Sequence, residues 1–160
     1  MAKNIAEKAK VGISACLLGY NVRYNGKNKY DGKLVAMLCR HFVLVPFCPE
    51  VEAGLGVPRT PIVLQNIHGQ IRALQGSHDV SDRLALLGKK LASLNLDGYV
   101  FKSNSPSCGL HVPMDHRDET TRGVFAAALL ANNQMVVVED VDLRHDKALM
   151  DFMQALLQPA

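Results

Sequence analysis

The chain reads as an α/β domain built on a mostly parallel sheet. Two patterns predict this. Short β-branched apolar runs of strand length alternate with segments whose apolar residues recur at helical spacing, the pattern of βαβ units. Three of those runs, 11–15, 42–47 and 99–101, are each followed closely by a cysteine: Cys16, Cys48 and Cys108. If the runs are neighbouring parallel strands, their end loops gather all three thiols at one edge of the sheet. Open α/β sheets place their ligands at that edge, beyond the carboxyl ends of the strands.

The elements follow in order. The first strand, 11–15, leads through Cys16-Leu17-Leu18-Gly19 into a polar loop over 21–32. Leu34, Val35 and Leu38 mark the inner face of a helix over 33–41, with Cys39 on or beside that face. A second strand, 42–47, ends at Cys48-Pro49-Glu50, and a Gly/Pro-rich stretch over 54–61 follows. Residues 62–64 and 71–74 suit a hairpin that turns near His68-Gly69. The next helix spans 80–94, with Asp79 and Ser81 as cap candidates and Leu84, Leu87, Leu91 and Leu94 as its apolar stripe. Residues 98–101 form the third strand, and 111–122 are polar. A helix over 124–131, a strand over 135–138 and a closing amphipathic helix over 145–157 complete the chain.

With 160 residues, 48% of them hydrophobic and 21% charged, the chain has the length and mixture of one globular domain with its own core. No repeat or linker divides it, so residues 1–10 are expected to be a flexible N-terminal arm and 11–160 a single domain. The formal charge of +3 comes without a dense Lys/Arg cluster and does not argue for a polyanionic partner. No apolar stretch reaches the ~20 residues of a membrane span, and the basic N-terminus lacks the apolar segment of a secretory leader. No membrane association is expected. The expected location is the cytoplasm, where thiols stay reduced and cysteines serve more often as ligands or catalysts than as disulfides.

Cys39, inside a helix, is read as packing, the ordinary fate of a free cysteine. Cys16, Cys48 and Cys108 lie in loops with Gly or Pro adjacent or close by, and the backbone N–H groups of such loops stabilise thiolates. Two readings stand for these three, packing or metal ligation. Structural zinc takes four ligands, usually with closely paired cysteines, and the chain has no C-x2-C. Iron–sulfur clusters normally take four thiolates, so three on a four-iron cluster leave one iron open as a Lewis acid for a soft substrate atom. Spacing alone does not separate cluster from zinc, but it argues against a disulfide framework.

Glu50, two residues past Cys48, suits general acid/base work; its plain alternative is a loop carboxylate capping a turn. Ser105 and Ser107, in the Cys108 loop, are either site hydroxyls or turn residues bonded to their own backbone. Arg23, Lys27 and Lys29 give the first loop a positive edge, and Tyr24 and Tyr30 offer rings that can stack on a substrate. A solvated loop is the plain alternative.

Ser14-Ala15-Cys16-Leu17-Leu18-Gly19 with Val22-Arg23-Tyr24-Asn25-Gly26, then Cys48-Pro49-Glu50 with Gly54-Leu55 and Pro58-Arg59, then Ser105-Pro106-Ser107-Cys108-Gly109, together resemble the TudS-type desulfidase family. The segment from Gly123 to Leu130 is also similar, and the likeness runs over about residues 11–143 with the motifs in the family's order. The resemblance implies a Rossmann-like, three-layer domain with cysteines on loops at the strand C-terminal ends. It implies a [4Fe-4S] cluster held by Cys16, Cys48 and Cys108, with Glu50 and Ser105 as acid/base and positioning residues. Arg23, Tyr24 and Ser107 stand as the substrate-binding candidates.

The implied reaction is non-redox removal of sulfur from thiolated pyrimidines of the 2- or 4-thiouracil type, with the substrate sulfur on the open iron, yielding the oxo base and hydrogen sulfide. Family members acting on RNA-derived thiouridine often carry an additional C-terminal domain; this chain ends soon after its last helix, so the free-base type is expected. The alternatives are a tRNA 4-thiouridine desulfidase and a non-enzymatic iron–sulfur or zinc sensor. Either a monomer or a homodimer is compatible with the sequence.

Overall fold

The structure, a computed structural model, describes residues 8–115 and 118–157. Strand β1 (Ala9–Ser14) runs into a 3-10 turn (Ala15–Leu18) and, after a loop, into α1 (Gly32–His41). The Asp31 carboxylate caps α1 by accepting from Leu34 N, and Arg40 and His41 lie at its negative end. The chain passes directly into β2 (Phe42–Phe47), then a single helical turn, α2 (Pro49–Glu52). A hairpin of β3 (Ile62–Ile67) and β4 (Gln70–Gln75) is extended by β5 (His78–Asp79). Next come α3 (Ser81–Ala92), β6 (Gly98–Phe101) and a small ribbon of β7 (Val112–Pro113) with β8 (Thr120–Thr121). The described chain closes with α4 (Val124–Leu130), β9 (Val136–Glu139) and α5 (Asp146–Leu157).

The central sheet has the order β2-β1-β6-β9 and is parallel throughout. The chain moves outward from β1 to β2, then crosses back over β1 to β6 and β9. The direction therefore reverses between β1 and β6, which makes that gap the switch point of the sheet. Side chains alternate across the strands. Val11, Ile13 and Val100 point to one face, where they pack with Leu34 and Leu38 of α1 and Phe152 of α5. Tyr99 and Phe101 point to the other, among Leu84 and Leu91 of α3 and Phe125 and Leu129 of α4. Helices thus cover both faces, and the expected three-layer α/β architecture is the one observed. Helices α3 and α4 meet at Gly88, where a Cβ would stand 2.7 Å from the Phe125 carbonyl.

Several sequence expectations are corrected. Ala9 and Lys10 belong to β1 rather than to an arm, because Lys10 pairs with Asp97 through bonds at both its N–H and its carbonyl. The remainder of the expected arm, apart from Lys8, lies outside the described residues. Neither Asp79 nor Ser81 caps α3, which starts after Val80. Instead the Asp79 carboxylate accepts from Ser81 N, and the Ser81 hydroxyl accepts from Ala73 N, tying the helix start to β4. α3 ends at Ala92, so Leu94 falls beyond the apolar stripe and is exposed. Cys39 is exposed rather than packed: Leu34 and Leu38 take the buried positions of α1, and the next residue faces outward. No helix among the described residues is long and apolar enough to cross a membrane.

Candidate metal centre

The three strand-end cysteines converge. Cys16 lies in the turn after β1, Cys48 stands between β2 and α2, and Cys108 follows the loop that leaves β6. All three line one cavity of about 440 Å³ above the carboxyl ends of β1, β2 and β6. The Cys108 loop is held from two sides. The Ser105 hydroxyl accepts from Ser107 N at 3.3 Å and from Cys108 N at 3.1 Å, while Ser105 O accepts from Gly109 N at 2.7 Å. Beneath it, Val124 N and Ala126 N at the start of α4 donate to Pro106 O and Ser107 O. Free N–H groups of the helix are thereby spent on holding the loop.

Glu50 is buried beside the thiols. Its Oε1 accepts from Arg59 Nε and its Oε2 from the Ser107 hydroxyl, both at 2.9 Å. Arg59 also donates through Nη1 to Gly56 O at 2.8 Å and through Nη2 to Val22 O at 2.7 Å, and its backbone N–H bonds Tyr24 O. One guanidinium therefore joins Glu50 of α2 to the loops that carry Val22 and Gly56. Arg59 was absent from the sequence-predicted site. The resemblance motif Pro58-Arg59 contained it, but a spacing of nine positions from Glu50 does not announce an ion pair.

The two serines take different positions. Ser105 sits on the cavity wall, but its hydroxyl is occupied by backbone N–H groups. Ser107, expected to meet substrate, is fully buried behind the wall and bonds Glu50. Arg23 and Tyr24 do line the cavity, with the Arg23 guanidinium 5.7 Å from the centre of the Tyr24 ring. Tyr30 lines a neighbouring groove instead. Lys102, also missed, lines the cavity and donates through Nζ to Ser103 O and Oγ.

Burial dominates the thiol chemistry. It pushes Cys16 up to about 11, against the opposing charge of Lys102. Burial also raises Cys48, partly offset by the Val51 N–H, and raises Cys108 well above the usual thiol range, partly offset by the Ser14 hydroxyl. Cys16 and Cys108 each feel the charge of Cys48. The metal-free site therefore holds protonated thiols, and any metal must displace those protons to bind.

Three thiols around one cavity are a donor set that fits an iron–sulfur cluster. Among the described residues no three His, Cys, Asp or Glu side chains converge tightly enough to hold one metal ion. Cys16, Cys48 and Cys108 would hold such a cluster, whose usual protein ligands are cysteine thiolates. Arg23, Lys29, Arg59 and Lys102 line the same cavity and supply positive charge against thiolates.

Fold and site define an α/β domain with a thiol-lined ligand cavity at the switch point of a parallel sheet. Comparison with known proteins narrows this. The 2-thiouracil desulfurase family model matches residues 11–141, and the chain belongs to that family. It is similar to YbbK of Bacillus subtilis (strain 168), described as uncharacterized, with 29% identity over 143 residues, 80% of this chain and 94% of YbbK. It is also similar to the solved structure of the [4Fe-4S]-dependent thiouracil desulfidase TudS. That match has a TM-score of 0.69 and 29% identity, and covers 90% of this chain and 99% of the other.

Proposed function

We propose that this protein removes sulfur from thiolated pyrimidines of the 2- or 4-thiouracil type, at a [4Fe-4S] cluster held by Cys16, Cys48 and Cys108. One observation carries the reading: cysteines far apart in sequence line a single cavity beside a buried, doubly bonded carboxylate. Membership of the 2-thiouracil desulfurase family and likeness to TudS support it. When bound, a cluster with three protein thiolates offers one iron as a Lewis acid to a soft thiocarbonyl sulfur.

The chain's own residues supply positioning and protons. Arg59 and Ser107 hold the Glu50 carboxylate at the cavity wall with one donor on each oxygen. Each oxygen keeps a second lone pair, so Glu50 can orient a water toward the ring carbon and take its proton. The C–S bond is replaced by a C–O bond, water supplies both the oxygen and the protons, and hydrogen sulfide leaves. No electrons are consumed. Glu50 returns its proton to the departing sulfur. Ser105 keeps the Cys108 loop in shape, while Tyr24 offers a face to the pyrimidine and Arg23 a donor to its oxygen. A reducing compartment such as the cytoplasm suits the free thiols.

Anaerobic reconstitution with iron and sulfide, followed by assay with 2- and 4-thiouracil, tests the reading. About four irons and four labile sulfides per chain, with sulfide released from substrate, are expected. Cys48→Ser abolishes both. An iron-loaded protein that releases no sulfide from any thiolated pyrimidine overturns the proposal.

A further inference from the structure

Tyr99 lies on β6 opposite Gly12 of β1. A Cβ at Gly12 would stand 2.4 Å from the Cδ2 and Cε2 atoms of the tyrosine ring, so the ring occupies the gap that this glycine leaves on the sheet. It stacks on Phe101 with ring centres 4.4 Å apart and meets Phe125 edge-on at 6.1 Å. The side chain is fully buried. Its hydroxyl is the one buried side-chain nitrogen or oxygen among the described residues that finds no hydrogen-bond partner.

An unpaired hydroxyl in an apolar core is destabilising, and phenylalanine would fill the same space without that cost. The oxygen therefore calls for a partner that the protein alone does not provide. Burial pushes the hydroxyl well above the usual phenol range, and ionised Cys108, Cys48 and Cys16 would push it further. All three are the thiols of the candidate centre, and Cys108 belongs to the same packed cluster of side chains as Tyr99.

We infer that the Tyr99 hydroxyl is a hydrogen-bond donor reserved for a sulfur of the loaded metal centre, on its Cys108 side. The inference rests on the cluster reading given above. An O–H donor to thiolate or sulfide draws electron density from sulfur and stabilises the more reduced cluster, which raises its reduction potential. Tyr99 is thus a positioning and tuning residue that reaches the chemistry through sulfur.

Tyr99→Phe tests this, since it keeps the ring stack and removes only the oxygen. Counting iron and labile sulfide in the unsubstituted protein tests the cluster reading first, and the inference falls with it if no cluster forms. In the loaded proteins, the midpoint potential of Tyr99→Phe is expected to move to a more negative value. Resonance Raman spectra should show an H2O/D2O shift in the Fe–S bands that the variant lacks. An unchanged potential with identical isotope shifts overturns the inference and leaves the cluster reading standing. A measurement on the metal-free chain is independent of loading. There Tyr99→Phe is expected to raise the urea midpoint, because it deletes an unpaired buried oxygen. A lowered midpoint means the hydroxyl already has a protein partner, and overturns the inference.

Discussion

Replacing Arg59 with methionine keeps most of the aliphatic stem but removes the donors to Glu50 Oε1, Gly56 O and Val22 O. The Arg59 side chain is 4% exposed and that of Glu50 11%, so the ion pair is largely shielded from bulk water. This is the buried regime, in which breaking an ion pair from one side costs about 3–5 kcal/mol, rather than the ~0–1 kcal/mol of surface pairs. Glu50 keeps its bond from Ser107, which places the expected loss near the lower end, about 3 kcal/mol. With a urea m-value of about 1–3 kcal/mol per molar, the denaturation midpoint of the metal-free chain falls by roughly 1–3 M. Removing the stranded charge as well, in Arg59→Met with Glu50→Gln, recovers most of that loss, because the uncompensated carboxylate rather than the missing attraction dominates the penalty. A single variant within about 0.5 kcal/mol of the unsubstituted chain, or a double variant with no recovery, would refute the reasoning.

Glu50→Gln is expected to retain iron and labile sulfide yet slow turnover of thiouracil by roughly 100-fold or more, and unchanged turnover removes Glu50 from the mechanism. Gly12→Ala drives a Cβ to 2.4 Å from the Tyr99 ring and should cost about 1–3 kcal/mol of stability by overpacking, read from the urea midpoint. The Arg72 side chain bonds the Asp79 carboxylate and holds it down at about 2, below its ordinary 3.8. A lowered carboxylate stabilises the fold above its unfolded value and loses that contribution as pH falls through the folded one. The stability difference between Asp79→Asn and the unsubstituted chain should therefore be full at pH 6 and narrow between about pH 4 and pH 2; a constant difference over that interval contradicts the assignment. Cys39→Ser, at an exposed position on α1, should leave the iron count of the reconstituted protein unchanged.

Much of the fold was legible in the residues. Strand and helix periods placed β2 at 42–47 and β6 at 98–101, because both are short apolar runs, although only β6 is fully buried and β2 lies at the sheet edge. The same reading underestimated the β3–β4 hairpin, whose ladder continues through the polar positions Gln65, Asn66 and Gln75. Backbone pairing carries those residues, and apolar alternation does not reveal it. At the site, the cysteines stood out through their place at strand ends, and Glu50 through its place beside one of them. Arg59 did not stand out, since its partners lie in loops that only the folded chain brings near it. Nor did the different partners of Ser105 and Ser107, because both are short hydroxyls in one turn and their sequence neighbours do not decide which one bonds Glu50.

Local chemistry along the chain was enough to determine the alternation of strands and helices, the thiols at three strand ends and the absence of paired zinc motifs. These depend on near neighbours and on side-chain period. Only the tertiary structure decided that β1 and β6 flank the switch point, that three loops close on one cavity, and that a single guanidinium clamps Glu50. It also decided that the Tyr99 oxygen is left without a partner. The physical reason is one of range: hydrogen bonds and buried charges act over a few ångströms in space, and the segments that meet there are distant along the chain.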